Sequence, residues 1–166
     1  MEISFKAKIL YKIKIFISKI VLFFLYRGFN IVNKIDQDVY TEVEKWRDGY
    51  TIKIQTCDNG PSLILKKQGK KIIRLKNEQE CNLEIIFKNL DSAFLLLTGR
   101  LEIAKAYCEH RFLLKGNIME AMSLVRCLDI VETYLFPKFI SKHLVKEVKK
   151  TKSPIIVTYL RILVNY

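Results

Sequence analysis

The side chains that could do chemistry in this chain are few and scattered. Cysteines stand at Cys57, Cys81, Cys108 and Cys127, no two within four residues of each other. A structural zinc or a redox pair draws on C-x-x-C spacing, so neither is expected. His110 and His143 are the only histidines, and no metal ligand is assigned. Cys108 and His110 are a nucleophile and a base by type. A working pair needs sulfur facing imidazole, with a third group orienting the ring. Two residues apart at a helix-to-strand junction, their directions are not set by spacing. No G-x-S-x-G elbow, phosphate-binding glycine loop or H-E-x-x-H helix is present. The chain is therefore read as a non-enzyme, with no catalytic residue, metal or cofactor.

One charged constellation remains. Arg126, Asp129 and Glu132 fall at i, i+3 and i+6 of a long helical pattern, and Glu109, His110 and Arg111 lie beside a strand. Two readings stand. Either the cluster orients a ligand headgroup, or Arg126 and Asp129 make a surface ion pair worth ~0.3–0.5 kcal/mol.

Composition bounds the rest. The 166 residues include 29 Lys plus Arg against 17 Asp plus Glu, a formal charge of +12, and half are hydrophobic. A chain of this length buries roughly 70% of its unfolded surface, enough for a core without disulfides or metal. Disorder and low complexity are excluded. The charge favours anionic partners, or is a solvated face. The scattered cysteines read as reduced, which suits a cytoplasmic protein.

The elements that must position these groups follow from period and punctuation. Met1 to Arg27 is basic and apolar, with Lys6, Lys8, Lys12, Lys14 and Lys19. Its longest charge-free stretch, between Lys19 and Arg27, is too short for a membrane span of ~20 residues. It reads as a helix ending at Gly28, either lying in a membrane interface or packed on the core. Residues 30–37 read as a linker before a short helix at Val39–Trp46. Strands are expected at Tyr50–Thr56, Ser62–Lys66 and Lys71–Leu75, a meander, then at Leu83–Lys88. Asp91 caps a helix that Gly99 ends, and Leu101–Cys108 is another helix. His110–Lys115 is a fifth strand. Asn117 and Glu120 open a long helix whose core face is Ile118, Ala121, Met122, Val125, Leu128, Val131 and Leu135. Pro137 starts a further helix with a cationic outer face, before an apolar tail. The fold class is α+β, a five-stranded mixed sheet covered by helices in two layers. Residues 1–45 are a basic helical segment and linker, 46–150 the domain, and 151–166 an apolar tail packed on it.

Several stretches resemble a known family. Leu83-Glu-Ile-Ile-Phe-Lys, Ala93-Phe94, Thr98-Gly99-Arg100-Leu101, Ala104-Lys105-Ala106-Tyr107, and Phe112-Leu-Leu-Lys-Gly-Asn117 followed by Ala121-Met122 resemble the sterol carrier protein type 2 domain. The resemblance covers roughly residues 46–146. It departs at Glu109-His110, where the family often has Gly, and in the basic N-terminal segment. It implies a sheet and helices enclosing an apolar tunnel that holds a lipid such as a fatty acyl, isoprenoid or sterol-like molecule, with no catalytic group.

Flexible and aromatic side chains make adaptable tunnel walls. By phase, the candidates are Phe94, Leu97, Phe112, Leu114, Met119, Met122 and Val125, which would otherwise fill a closed core. The expected function is lipid binding and transfer in the cytoplasm, with peripheral contact to anionic membrane at its inner face through Lys6, Lys8, Lys12, Lys14 and Lys19. The alternative is a non-catalytic membrane-associated scaffold or partner-binding module. Nucleic-acid binding would need exposed aromatics among the charges or a reading motif. Neither stands out, and no nucleic-acid partner is expected.

Overall fold

A computed structural model describes residues 5–77 and 80–135. The helix expected from Pro137 and the tail at 151–166 lie outside the described residues. The chain forms α1 (Phe5–Ile35), α2 (Gln37–Glu44), β1 (Thr51–Gln55), β2 (Ser62–Gln68), β3 (Lys71–Leu75), β4 (Leu83–Phe87), α3 (Leu90–Leu97), α4 (Ile103–Cys108), β5 (Phe112–Lys115) and α5 (Ile118–Leu135). The five strands form one mixed sheet in the order β3-β2-β1-β4-β5. β1 and β4 are parallel, with Ile54 opposite Ile85. The other pairings are antiparallel. The α+β class and five mixed strands are those expected from the alternation.

Side-chain direction alternates along a strand, so residues two apart share a face. Ile52 and Ile54, Leu63 and Leu65, and Leu83, Ile85 and Phe87 are all buried in one core with the helices. Lys53, Lys66, Glu84 and Lys115 alternate with that set. Lys115 and Glu84 pair across β5 and β4 at 3.6 Å. The turn between β5 and α5 requires a glycine. Gly116 has φ +118°, and a Cβ there would lie 2.5 Å from the Asn82 carbonyl oxygen. A left-handed backbone and that close approach both exclude larger residues.

The N-terminal segment departs from expectation. Helix α1 does not stop at Gly28 and runs on to Ile35, so the expected linker at 30–37 is helical to within one residue. Glycine lowers helix stability by only ~1 kcal/mol, and packing outweighs that. Leu22, Leu25, Phe29 and Val32 of α1 lie in the same core as the sheet, as do Val39 and Val43 of α2. The expected boundary after residue 45 therefore does not divide the core. Fully burying such side chains contributes roughly 1.5–3 kcal/mol each.

Asp36 makes the break between α1 and α2. One of its oxygens accepts from the backbone N–H groups of Asp38 and Val39, the N-cap of α2. The other accepts from the Tyr134 hydroxyl at 2.9 Å and ties down the end of α5. The far end of α2 is closed by buried Lys67. Its Nζ donates to the Glu44 carbonyl at 3.0 Å and to that of Trp46. Asn89, not the expected Asp91, caps α3, its side chain accepting from Ser92 N–H at 2.8 Å. Strand β5 begins at Phe112. His110 lies before it with φ +52°, the left-handed conformation that favours glycine.

Candidate functional site

A cavity of about 200 Å³ lies between the sheet and the helices. Helix α1 contributes Val21, Phe24 and Leu25 to its wall, and the sheet contributes Ile54, Ile85, Phe87 and Phe112. Leu96, Leu97 and Ile103 come from α3 and α4. Helix α5 adds Val125, Leu128, Glu132 and Leu135, at spacings of three, four and three that keep them on one face. The Phe87 and Phe112 rings meet edge to face at 5.5 Å, which sets the sheet side of the wall.

Leu97, Phe112 and Val125, among the side chains expected to line a tunnel, do stand in this wall. The other four do not. Met119 and Met122 are 71% and 46% exposed, on a side of α5 turned away from the cavity. They stand outside this wall because the buried side of α5 takes in Leu124, Cys127 and Tyr134 beside the expected Ala121, Leu128 and Val131, a turn of the face that carries Met119 and Met122 outward. Phe94 is half-buried on α3, with Lys14 Nζ 5.9 Å from its ring centre. Leu114 sits opposite Ile85 on β5 and packs on the core outside the cavity. The α1 residues in the wall were missed, although the apolar run at 20–26 was the signal for them.

Glu132 is the only titratable side chain in this wall among the described residues. It makes no hydrogen bond or ion pair with another described residue. Burial pushes its carboxyl up to about 8, and Asp129 one turn earlier adds to the rise. Asp129 is itself raised, by burial and then by Glu102 at the start of α4. An uncharged acid in an apolar wall follows, because desolvation disfavours the anion and no cation of the described residues lines the wall.

Arg126 does not join this group. It reaches Glu42 of α2 at 2.9 Å, not the expected Asp129. Glu42 also accepts from Ser123 at 2.7 Å and Lys45 at 3.0 Å, and these donors hold its carboxyl down to about 2. Ser123 in turn accepts from the buried Trp46 indole N–H at 3.0 Å. Glu109 and Arg111 pair with each other at 2.5 Å, away from the cavity. Cys108 and His110 are both exposed and outside the wall. None of the four cysteines is in a disulfide, and no three His, Cys, Asp or Glu side chains come together among the described residues.

The first half of α1 has a second feature. Phe5, Ile9, Ile13, Phe16, Ile20 and Phe23 are exposed and recur every three or four residues, so they form one stripe. Lys8, Lys12 and Lys19 run along one side of the stripe, and Lys6 lies on the other. Lys14 is placed elsewhere, paired with Asp91 of α3 at 2.6 Å. No helix among the described residues is long and apolar enough to cross a membrane.

No family model matches the sequence, and no curated protein matches it closely. Solved structures of similar shape do exist. A UbiJ-SCP2 ubiquinone synthesis protein is 16% identical, with 75% of this chain and 99% of that chain covered and a TM-score of 0.46. The apo form of sterol carrier protein 2 from Yarrowia lipolytica is 17% identical, with 69% and 91% covered and a TM-score of 0.49. The sterol carrier protein domain 2 of Helicoverpa armigera is 22% identical, with 61% and 80% covered and a TM-score of 0.42. These bear the family name that the sequence pattern resembles. A functional reading has to come from this chain's own cavity.

Proposed function

We propose that this protein binds the hydrocarbon part of a lipid in the cavity between α1, α5 and the sheet, and exchanges it at an anionic membrane surface. One observation carries the reading: a cavity of about 200 Å³ walled by aliphatic and aromatic side chains, with one carboxyl. An apolar cavity of ~150 Å³ stays dry and takes up a benzene ring. The space here is enough for a ring or a segment of acyl or isoprenoid chain. Each methylene moved from water into it contributes ~0.8 kcal/mol. Among the described residues the wall is hydrocarbon apart from one carboxyl, a lining that suits the binding of a hydrocarbon chain.

Native mass spectrometry of the purified full chain tests this directly. The expected result is a co-purified lipid mass that an added fluorescent fatty acid displaces. A bare protein mass together with no fluorescence enhancement would remove the carrier reading.

The membrane step rests on the α1 stripe and its flanking lysines. An apolar stripe flanked by cations matches an anionic interface, where each nearby Lys contributes about 1 kcal/mol. Two such stripes facing each other would bring like charges together, which disfavours self-pairing. The full chain should sediment with phosphatidylglycerol-containing vesicles and not with pure phosphatidylcholine. Replacing Lys8, Lys12 and Lys19 by Glu should abolish that sedimentation. A variant that sediments like the wild type would refute the assignment. A dimer without vesicle binding would give the stripe to a second copy of the chain.

A further inference from the structure

We propose that Glu132 forms the polar end of the cavity and selects lipids whose head is an un-ionised hydroxyl, an alcohol or phenol, over lipids that end in an anion. This rests on the lipid-binding reading above and goes further by naming the class of headgroup.

The first ground is an unmet hydrogen-bonding need. Glu132 lies on the face of α5 that also carries Val125, Leu128 and Leu135, and it lines the cavity with them. Across the cavity, α1 offers Val21, Phe24 and Leu25, and the sheet offers only hydrocarbon. None of these can pair with a carboxyl, and Glu132 has no partner among the described residues. Glu132 is half-buried, and a polar group that faces an apolar cavity without a partner costs up to ~1–3 kcal/mol. A ligand that supplies the missing bond recovers that cost, and plain hydrocarbon does not.

The second ground is the sign of the surrounding charge. Among the described residues, the charged groups around Glu132 are Asp129 on its own helix and, beyond it, Glu102 at the start of α4. No charged group of α1 or the sheet lines the cavity. Arg126, the cation of α5, is held by Glu42 on the other side of the helix. A carboxylate or phosphate head would therefore lose its hydration in an apolar cavity with Asp129 and Glu102 behind it and no cation of the described residues in the wall to compensate. A hydroxyl meets no such penalty. It donates to the carbonyl oxygen of a neutral acid and accepts from its O–H.

Protonation fits this picture. Burial and Asp129 keep the Glu132 carboxyl neutral up to about pH 8. A bound chain excludes water and disfavours the anion further, so by linkage affinity falls as pH rises past that point.

The test uses the full chain and three probes of equal length, 1-decanol, decanoate and decane, each displacing a fluorescent reporter. At pH 6.5 decanol should bind at least tenfold more tightly than decanoate. Decanol affinity should fall severalfold between pH 6.5 and 9.5. Glu132→Gln, which keeps a donor and an acceptor, should retain decanol within about threefold and lose the pH dependence. Glu132→Leu should bind decane at least as well as the wild type and lose its preference for decanol over decane. Equal wild-type affinity for decanol and decanoate would overturn the selection while leaving the lipid cavity standing. So would a pH response that persists in Glu132→Gln. Failure of all three probes to displace the reporter would overturn the cavity reading itself, and this inference with it.

Discussion

Leu135 occupies the space in which a side chain at residue 28 would stand. A Cβ on Gly28 would lie 2.8 Å from Leu135 Cδ2 and 3.0 Å from Cδ1. Leu135 also lines the cavity. The missing side chain on α1 therefore decides where a wall residue of α5 sits, and so how much room remains behind it.

Gly28→Ala tests that relationship. Alanine gains ~1 kcal/mol of helix propensity, while overpacking costs ~1–3 kcal/mol. The net expectation is a loss of up to about 2 kcal/mol in urea unfolding, with weaker uptake of a fluorescent lipid as Leu135 is pushed into the cavity. Adding Leu135→Ala should restore part of the stability, a coupling that a double-mutant cycle measures. A Gly28→Ala protein more stable than wild type, with unchanged uptake, would mean the two helices have slack.

The two sides of α5 should respond differently to bulk. Val125→Trp fills the cavity and is expected to cut lipid uptake at least tenfold. Met122 is 46% exposed and outside the wall. Met122→Trp should therefore change stability by no more than ~0.5 kcal/mol and leave uptake intact. Parallel titration of the two variants with one fluorescent fatty acid separates them. Loss of uptake in Met122→Trp alone would put the binding site on the other side of the helix.

Glu132 should impose a downward slope of stability with pH. Its folded value, about 8, is raised above the ordinary 4.5. Between those values the folded state keeps a proton that the unfolded chain has released. Stability therefore falls as pH rises from the unfolded value through the folded one. Glu132→Gln removes this effect and should become the more stable protein, by ~1–3 kcal/mol at pH 8.5 and by little at pH 4.5. Urea unfolding at both values checks it. A margin independent of pH would show that the carboxyl is already ionised at neutrality.

Glu42 should act in the opposite sense. Hydrogen bonds from Arg126, Ser123 and Lys45 hold it at about 2, below the ordinary 4.5. Its contribution is present above the unfolded value and is lost as pH falls through the folded one. Glu42→Gln should cost ~1–3 kcal/mol at pH 7, the range for hydrogen bonds to a charged group. The difference from wild type should shrink steadily between pH 4.5 and 2.5 in the same unfolding assay. An equal deficit at pH 7 and 2.5 would assign the effect to packing.

Much of the architecture was written in local signals. Alternation at Ile52 and Ile54, the turn Asp58-Asn59-Gly60-Pro61 and the run from Leu83 to Phe87 specify strands, because a pleated backbone has a fixed period of two. The turn from Gly116 into α5 was equally plain. Asn117 accepts from Met119 N–H at 2.8 Å, as an N-cap does, although Glu120 bonds the Tyr50 hydroxyl at 2.7 Å and does not complete a capping box.

What the tertiary structure alone decided concerns direction. Gly28 reads in sequence as a helix stop, and only the presence of Leu135 across from it makes it a packing position. Helix α5 carries apolar residues on more than one side, and successive residues turn by ~100°. Val125 and Met122 could each have faced a cavity, and the position of α1 and the sheet chose Val125. Glu132 shares the spacing of Val125 and Leu128, which was visible in the chain. That no cation of the described residues stands opposite it was not, because partners distant in sequence are set by packing and not by period.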